Sequence, residues 1–276
     1  ARDLTMQDVQ QIPLMHLVYV DQREFATVSP TDDFIRIIGS GNATTCHIAV
    51  LRGSGKGVTS LAHLDGSETE SAVDAFIKSV QQMDQSEKLH MHLVGGFLDD
   101  KKHSEKLTKE IFRACINNEF RIHLQTACIG CLNDVVKQNA THFPIIYGLA
   151  VDVRSGDLIR AVFPDQGPDM LIRSATNFIG KGTLLEVYNS NNPGRLVIDP
   201  VEWRTWNDLD MWLTLPDPFI RKYLSTSPEQ EVATFEADSR KVLKFIQDNP
   251  QPEKTLFVNN KPRVYQKEKS GEWTQI

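Results

Sequence analysis

The chain has 276 residues, 40% hydrophobic and 24% charged, ordinary proportions for a globular protein with one large core or two small ones. A formal net charge of -6 gives no electrostatic reason to expect nucleic acid or an anionic membrane as partner. No apolar run approaches the ~18 residues of a membrane span, and Ala1–Thr5 has the look of neither a signal nor a transit peptide. The cysteines Cys46, Cys115, Cys128 and Cys131 are too few for a disulfide framework, so a reducing, cytoplasmic compartment is expected, with the nucleus as a second.

In chain order, Leu17–Val20 and Phe34–Ile38 read as strands, and Gly39-Ser40-Gly41-Asn42 as turn residues. The apolar run Cys46–Leu51 reads as a buried strand. Gly53–Gly57 then supplies a loop, and Val58–His63 a second strand, which together suggest a hairpin. Val73, Phe76, Ile77 and Val80 mark a helix over Glu70–Met83. His90–Phe97 reads as a strand ending in a glycine turn, Ser104–Cys115 as a helix and Arg121–Cys128 as a strand. Phe143–Val153 and Leu158–Phe163 suggest a hairpin turned at Arg154–Asp157. Further on come a helix over Gln230–Gln247 and a hairpin-like stretch over Thr255–Trp273. The turn-rich Asn189–Gly194 suggests a boundary between a catalytic core, 1–190, and a C-terminal extension packed on it, 191–276. The expected class is α/β of the α+β type, a layered mixed sheet core with flanking helices.

Cys46 is the first candidate for chemistry. It follows a polar loop and begins an apolar run, so its sulfur sits where a loop enters a core strand, and backbone N–H groups near Thr45 and Cys46 can form an oxyanion hole. A thiol attacks a carboxamide as thiolate and needs a base nearby. His63, ending the next strand of the expected hairpin, can supply it. His47 adjoins Cys46 and so points to the opposite face of a strand. Against catalysis stands the reading of Cys46 as a buried small hydrophobe. Cys128-Ile129-Gly130-Cys131 has the spacing of a zinc half-site or redox pair, but no second ligand pair follows. Gly53-Ser54-Gly55-Lys56-Gly57 fails the phosphate-loop pattern, because Gly57 follows the lysine. His90 and His92 share a strand face without an identifiable third ligand.

Several longer blocks resemble the protein N-terminal asparagine amidohydrolase family: Gln22–Pro30, Gly39–Ser40 with Ala43–Ile48, Leu61–Gly66, His92–Phe97, His142–Gly148 and Leu224–Pro228. They stand in the family's order and span most of the chain. The Cys128-x-x-Cys131 pair is not part of that pattern. The resemblance implies hydrolysis of a free N-terminal Asn to Asp with release of ammonia, the new Asp being arginylated and read as a degradation signal. The Ser40…Cys46…His63 arrangement is also similar to that of bacterial chemoreceptor glutamine deamidases and necrotizing-factor toxins, which use a Cys–His pair with the His held by a hydroxyl or carbonyl. Ser40 stands where the chemoreceptor deamidases carry a Thr.

The expected catalytic set is therefore Cys46, His63, Ser40 and Thr45, acting through a thioester with no metal or organic cofactor. An enzyme that requires a chain terminus must read –NH₃⁺, which a carboxylate does by charge-assisted hydrogen bonding. Asp65, two residues beyond His63, is the first candidate and Glu24 the second. Expected partners are proteins or peptides with an exposed N-terminal Asn, met by a monomer, with neither nucleic acid nor membrane. The rival readings are a deamidase or transamidase acting on internal Gln or Asn, a noncatalytic adaptor of a degradation pathway, and a zinc module built on Cys128 and Cys131.

Overall fold

The computed structural model describes residues 1–180, 182–204 and 206–276. A short helix, α1 (Arg2–Thr5), opens the chain, followed by β1 (Gln10–Gln11), β2 (Leu17–Tyr19), β3 (Glu24–Val28) and β4 (Ile37–Ser40). The hairpin of β5 (His47–Gly53) and β6 (Thr59–Leu64) leads to α2 (Thr69–Asp84), β7 (Lys88–Gly95), α3 (His103–Asn117) and β8 (Arg121–Ile129). A ribbon, β9 (Asp134–Val136) and β10 (His142–Pro144), and a hairpin, β11 (Leu149–Asp152) and β12 (Leu158–Val162), precede α4 (Met170–Ile179). Next come β13 (Leu185–Asn189), β14 (Arg195–Ile198), α5 (Leu209–Thr214), α6 (Asp217–Leu224), α7 (Phe235–Asp248) and α8 (Pro252–Thr255). The chain finishes on β15 (Arg263–Lys267) and β16 (Trp273–Gln275).

Among the described residues the strands make a nine-stranded sheet, β16-β15-β14-β13-β3-β6-β5-β7-β8, and a five-stranded sheet, β1-β12-β11-β4-β2. Period-two alternation sorts the side chains into layers. Ala49 and Leu51 of β5, with Ala62 and Leu64 of β6, face Phe76 and Ile77 of α2 and Leu107 and Ile111 of α3. Ile48 and Val50, with Leu61, face the other way, onto Val18, Ile38, Leu149 and Val151 of the five-stranded sheet. The layers therefore run helices, large sheet, small sheet, which is the layered mixed α/β class expected. Because β5 is buried on both faces, its sequence is nearly continuously apolar rather than alternating. The strands after residue 190 extend the same large sheet beyond β13. No helix among the described residues is long and apolar enough to cross a membrane.

Two local expectations shift. Strand β4 begins at Ile37, not Phe34, because the Asp32 carboxylate accepts the N–H groups of Phe34 and Ile35 and holds them in a turn. Gly39 and Ser40, expected in a turn, belong to β4. A Cβ on Gly39 would come 2.2 Å from the Phe163 ring, so the glycine lets that ring lie against the strand. Strand β3 is not marked by composition: it begins with Glu24, and its polar residues are buried by pairing rather than solvated.

Candidate active site

The loop from Ser40 to His47 leaves the small sheet and enters the large one, so Cys46 lies where the two layers meet. Backbone bonds clamp it: the Ala43 N–H donates to the Tyr147 carbonyl at 2.9 Å, and the Gly96 N–H donates to the Cys46 carbonyl at 2.9 Å. Thr44 and Thr45, 6% and 5% exposed, are tied to a strap over 225–227. Ser227 Oγ donates to Thr44 Oγ1 at 2.8 Å, and the Thr45 and Thr226 hydroxyls bond at 2.8 Å. Thr45 thus braces the loop through its side chain. Cys46 itself is partly buried and packs on the core between the sheets.

His63 pairs with Ile48 across the β5–β6 ladder and faces the same inter-sheet layer as Ile48 and Cys46. Its Nδ1 lies 2.8 Å from Ser40 Oγ, and its Nε2 is buried without a hydrogen-bond partner. Ser40 reaches it because Ser40 and Ile38 share the inward face of β4. Burial pushes the imidazole down to about 4, although Asp65 and Glu24 act the other way. Burial also raises the Cys46 thiol well above its ordinary range, helped by the negative charges of Asp65 and Glu231 and opposed by Arg23. Both shifts favour the neutral form of each group, and one ring nitrogen is held by Ser40 while the other is open. His47 faces the helices instead, with Nε2 2.8 Å from Thr108 Oγ1 of α3.

Asp65, just past β6, accepts hydrogen bonds from Gln22 at 2.8 Å, Arg23 at 2.6 Å and the Ser67 N–H at 2.9 Å. These contacts, with the Arg23 charge foremost among them, outweigh burial and hold its carboxyl below the usual range. Glu24 is placed differently. It is 2% exposed, and its oxygens accept from Arg173 Nε, at 2.9 Å, and from the Asp21 N–H, at 2.8 Å. Sequence reasoning passed over Glu231, whose charge reaches Cys46 and whose carboxylate is hydrogen-bonded by the Ser225 hydroxyl of the strap. Burial pushes the Glu231 carboxyl up. The only hint in the sequence was its nearness to the block Leu224–Pro228.

The remaining motifs have structural occupations. The N–H groups of Gly55, Lys56 and Val58, which a phosphate would need, bind the Asp84 carboxylate at 2.9–3.2 Å. Cys128 is buried in the core and Cys131 is exposed, both as free thiols. His92 pairs with Thr126 at 3.0 Å, and His90 lies edge-on to His123.

A thiol, an imidazole with one open nitrogen and a hydroxyl that orients it are thus brought to one face of a layered α/β scaffold. The chain belongs to the protein N-terminal asparagine amidohydrolase family, whose profile matches residues 7–275, and it is an amidohydrolase. It is 42% identical over its whole length to the protein N-terminal asparagine amidohydrolase of Sus scrofa and 41% identical to that of Homo sapiens, covering 89% of each. The Arabidopsis thaliana protein of the same name is 29% identical, over 93% of this chain and 80% of its own.

Proposed function

We propose that this chain hydrolyses the side-chain amide of an N-terminal asparagine in proteins and peptides, through a thioester on Cys46, and so creates an N-terminal Asp that marks the product for degradation. The observation that carries the reading is the Ser40–His63 hydrogen bond, which leaves Nε2 unpartnered on the face where Cys46 lies. With both groups neutral at rest, Nδ1–H donates to Ser40, and Nε2 takes the thiol proton as sulfur attacks the amide carbon. Loop N–H groups near Thr45 and Cys46 receive the oxyanion. The imidazolium then protonates the leaving nitrogen, ammonia departs and the thioester remains. Water, losing a proton to His63, attacks the thioester carbonyl and releases the carboxylate and the thiol. The scheme uses no metal or organic cofactor. The protein acts as a monomer in the cytoplasm and nucleus.

The substrate α-ammonium is read by carboxylate. Asp65 and Glu231 both extend their charge to Cys46. Asp65 shares its oxygens with Arg23 and Gln22, whereas the Glu231 carboxylate accepts from the Ser225 hydroxyl. Glu24, the other carboxylate considered, is 2% exposed and bound by Arg173.

The test is mass spectrometry of an Asn-starting peptide, its N-acetylated form and a peptide with Asn at position two. Amide-to-acid conversion with ammonia release is expected for the first alone. Cys46→Ser should hold the fold and lose more than about tenfold in rate, since a hydroxyl is far less ionised than a thiol beside histidine. Asp65→Asn or Glu231→Gln should raise KM for the free peptide more than it lowers kcat, the mark of lost ground-state binding. Equal turnover of acetylated peptide, or an active Cys46→Ser, would overturn the reading.

A further inference from the structure

The Cys128-x-x-Cys131 segment, absent from the chemistry above, builds a support for the nucleophile loop. Strand β8 ends at Ile129, and a tight turn follows over Gly130–Asn133, with Gly130 at φ 52° and Cys128 Sγ 3.5 Å from the Leu132 carbonyl oxygen. The turn delivers Asn133 into the interior, where it is 0% exposed. Its carboxamide is used at both ends. Nδ2 donates to the Gly96 carbonyl at 2.9 Å and to the Ile146 carbonyl at 3.4 Å, and Oδ1 accepts the Ile146 N–H at 2.9 Å. The backbone carbonyl of Asn133 accepts the Ile145 N–H at 3.0 Å.

Those partners are the anchors of the loop that carries Cys46. Gly96 donates its N–H to the Cys46 carbonyl, and Tyr147, the neighbour of Ile146, accepts the N–H of Ala43. One side chain therefore bridges the clamps at the two ends of Ala43–Cys46. The Gly96 clamp has no slack: a Cβ on Gly95 would come 2.5 Å from Cys46 O, and one on Gly96 2.7 Å from the His47 ring. Both glycines have positive φ, 125° and 61°, and at Gly95 backbone meets backbone, so a displacement of this turn reaches Cys46 through the Gly96 N–H bond to its carbonyl. An apolar residue at 133 would strand buried backbone groups. Asp would keep the acceptor, lose the donor and turn a charge toward two carbonyl oxygens.

We propose that Asn133 is a positioning residue for the deamidation: it fixes the separation of the two anchors of the Ala43–Cys46 loop, and through them the place of the sulfur relative to His63, without touching substrate. The inference rests on Cys46 being the nucleophile.

The experiment compares Asn133→Asp and Asn133→Ser with the parent, with Cys46→Ser and with Asp84→Asn, a buried polar site that holds the remote Gly55–Val58 loop. Each is assayed for kcat, KM and melting temperature on an Asn-starting peptide. A displaced nucleophile costs turnover steeply, so Asn133→Asp is expected to lose about tenfold or more in kcat with KM within about threefold. Asn133→Ser, whose hydroxyl can serve one partner, should fall between it and the parent, and it carries the test if Asn133→Asp does not fold. Asp84→Asn should lower the melting temperature and leave kcat near the parent value. If the folded Asn133 variants keep kcat within about threefold while Cys46→Ser is inactive, the positioning role falls and the nucleophile stands. The role falls equally if Asp84→Asn loses as much kcat as the Asn133 variants. An active Cys46→Ser overturns the nucleophile reading and this inference with it.

Discussion

Ser40 and His63 show how a buried imidazole is kept neutral and aimed. The hydroxyl fixes one ring nitrogen, and burial strips away the water that would otherwise stabilise the imidazolium, which pushes the ring's pKa down from its ordinary 6.5 to about 4. Between those values the unfolded protein binds a proton that the folded protein refuses, so His63 gives its full contribution above pH 6.5 and loses it as pH falls toward 4. Urea unfolding of the parent should therefore show stability falling from pH 7 to pH 5, and His63→Ala should fall less steeply over the same interval. His47, also held near 4 by burial, keeps part of the slope in that variant. Identical slopes would show that His63 titrates normally in the folded protein.

At the scale of elements, β4 does two things with adjacent residues. Ser40 turns inward to His63, while Gly39 turns outward and leaves room for the Phe163 ring. Gly39→Ala would press a methyl into that ring, and overpacking of this kind costs about 1–3 kcal/mol. Urea denaturation should register the loss. Because the strained residue adjoins Ser40, deamidation should weaken as well, at a temperature where the variant is fully folded. Unchanged stability would mean that Phe163 moves aside freely. The hairpin β5–β6 contributes the opposing element: its antiparallel register places His63 on the inter-sheet face, and the loop entering β5 delivers Cys46 to that same face. His47, one residue on, is turned away to Thr108.

For the molecule as a whole, Arg173 ties the layers together. From α4 its guanidinium binds Glu24 of the large sheet and donates to the Tyr19 carbonyl of the small sheet at 2.7 Å, and it is 1% exposed. Removing one partner of such a pair leaves a buried charge alone, which costs about 3–5 kcal/mol, whereas replacing both with apolar groups of similar size is often neutral. Arg173→Met should therefore destabilise strongly, and the Glu24→Leu, Arg173→Met double variant should recover much of the loss in chemical denaturation. A double variant no more stable than the single one would assign the loss to packing rather than to the stranded carboxylate.

The sequence by itself determined the class of fold, the β5–β6 hairpin, the helices over α2 and α3, and the opposite facing of Cys46 and His47. The helices and the opposite facing follow from period-3.6 and period-two geometry, and the hairpin from two apolar runs joined by a glycine-rich loop, all of them local signals that survive in a linear text. The likeness of the Ser40…Cys46…His63 spacing to that of the chemoreceptor deamidases added Ser40, which no periodicity marks, since glycine and serine read locally as a turn. Only the tertiary structure decided which carboxylates stand near the sulfur. Asp65 and Glu24 look alike in sequence, as acids inside family blocks, yet Glu24 is locked to Arg173 far along the chain while Glu231 arrives from the other end, bonded to Ser225 of the 225–227 strap. Asn133 was likewise hidden just past a motif that suggests metal or redox chemistry. Its value comes from spanning Gly96 and Ile146, and a hydrogen bond between segments distant in sequence leaves no trace in the composition of either.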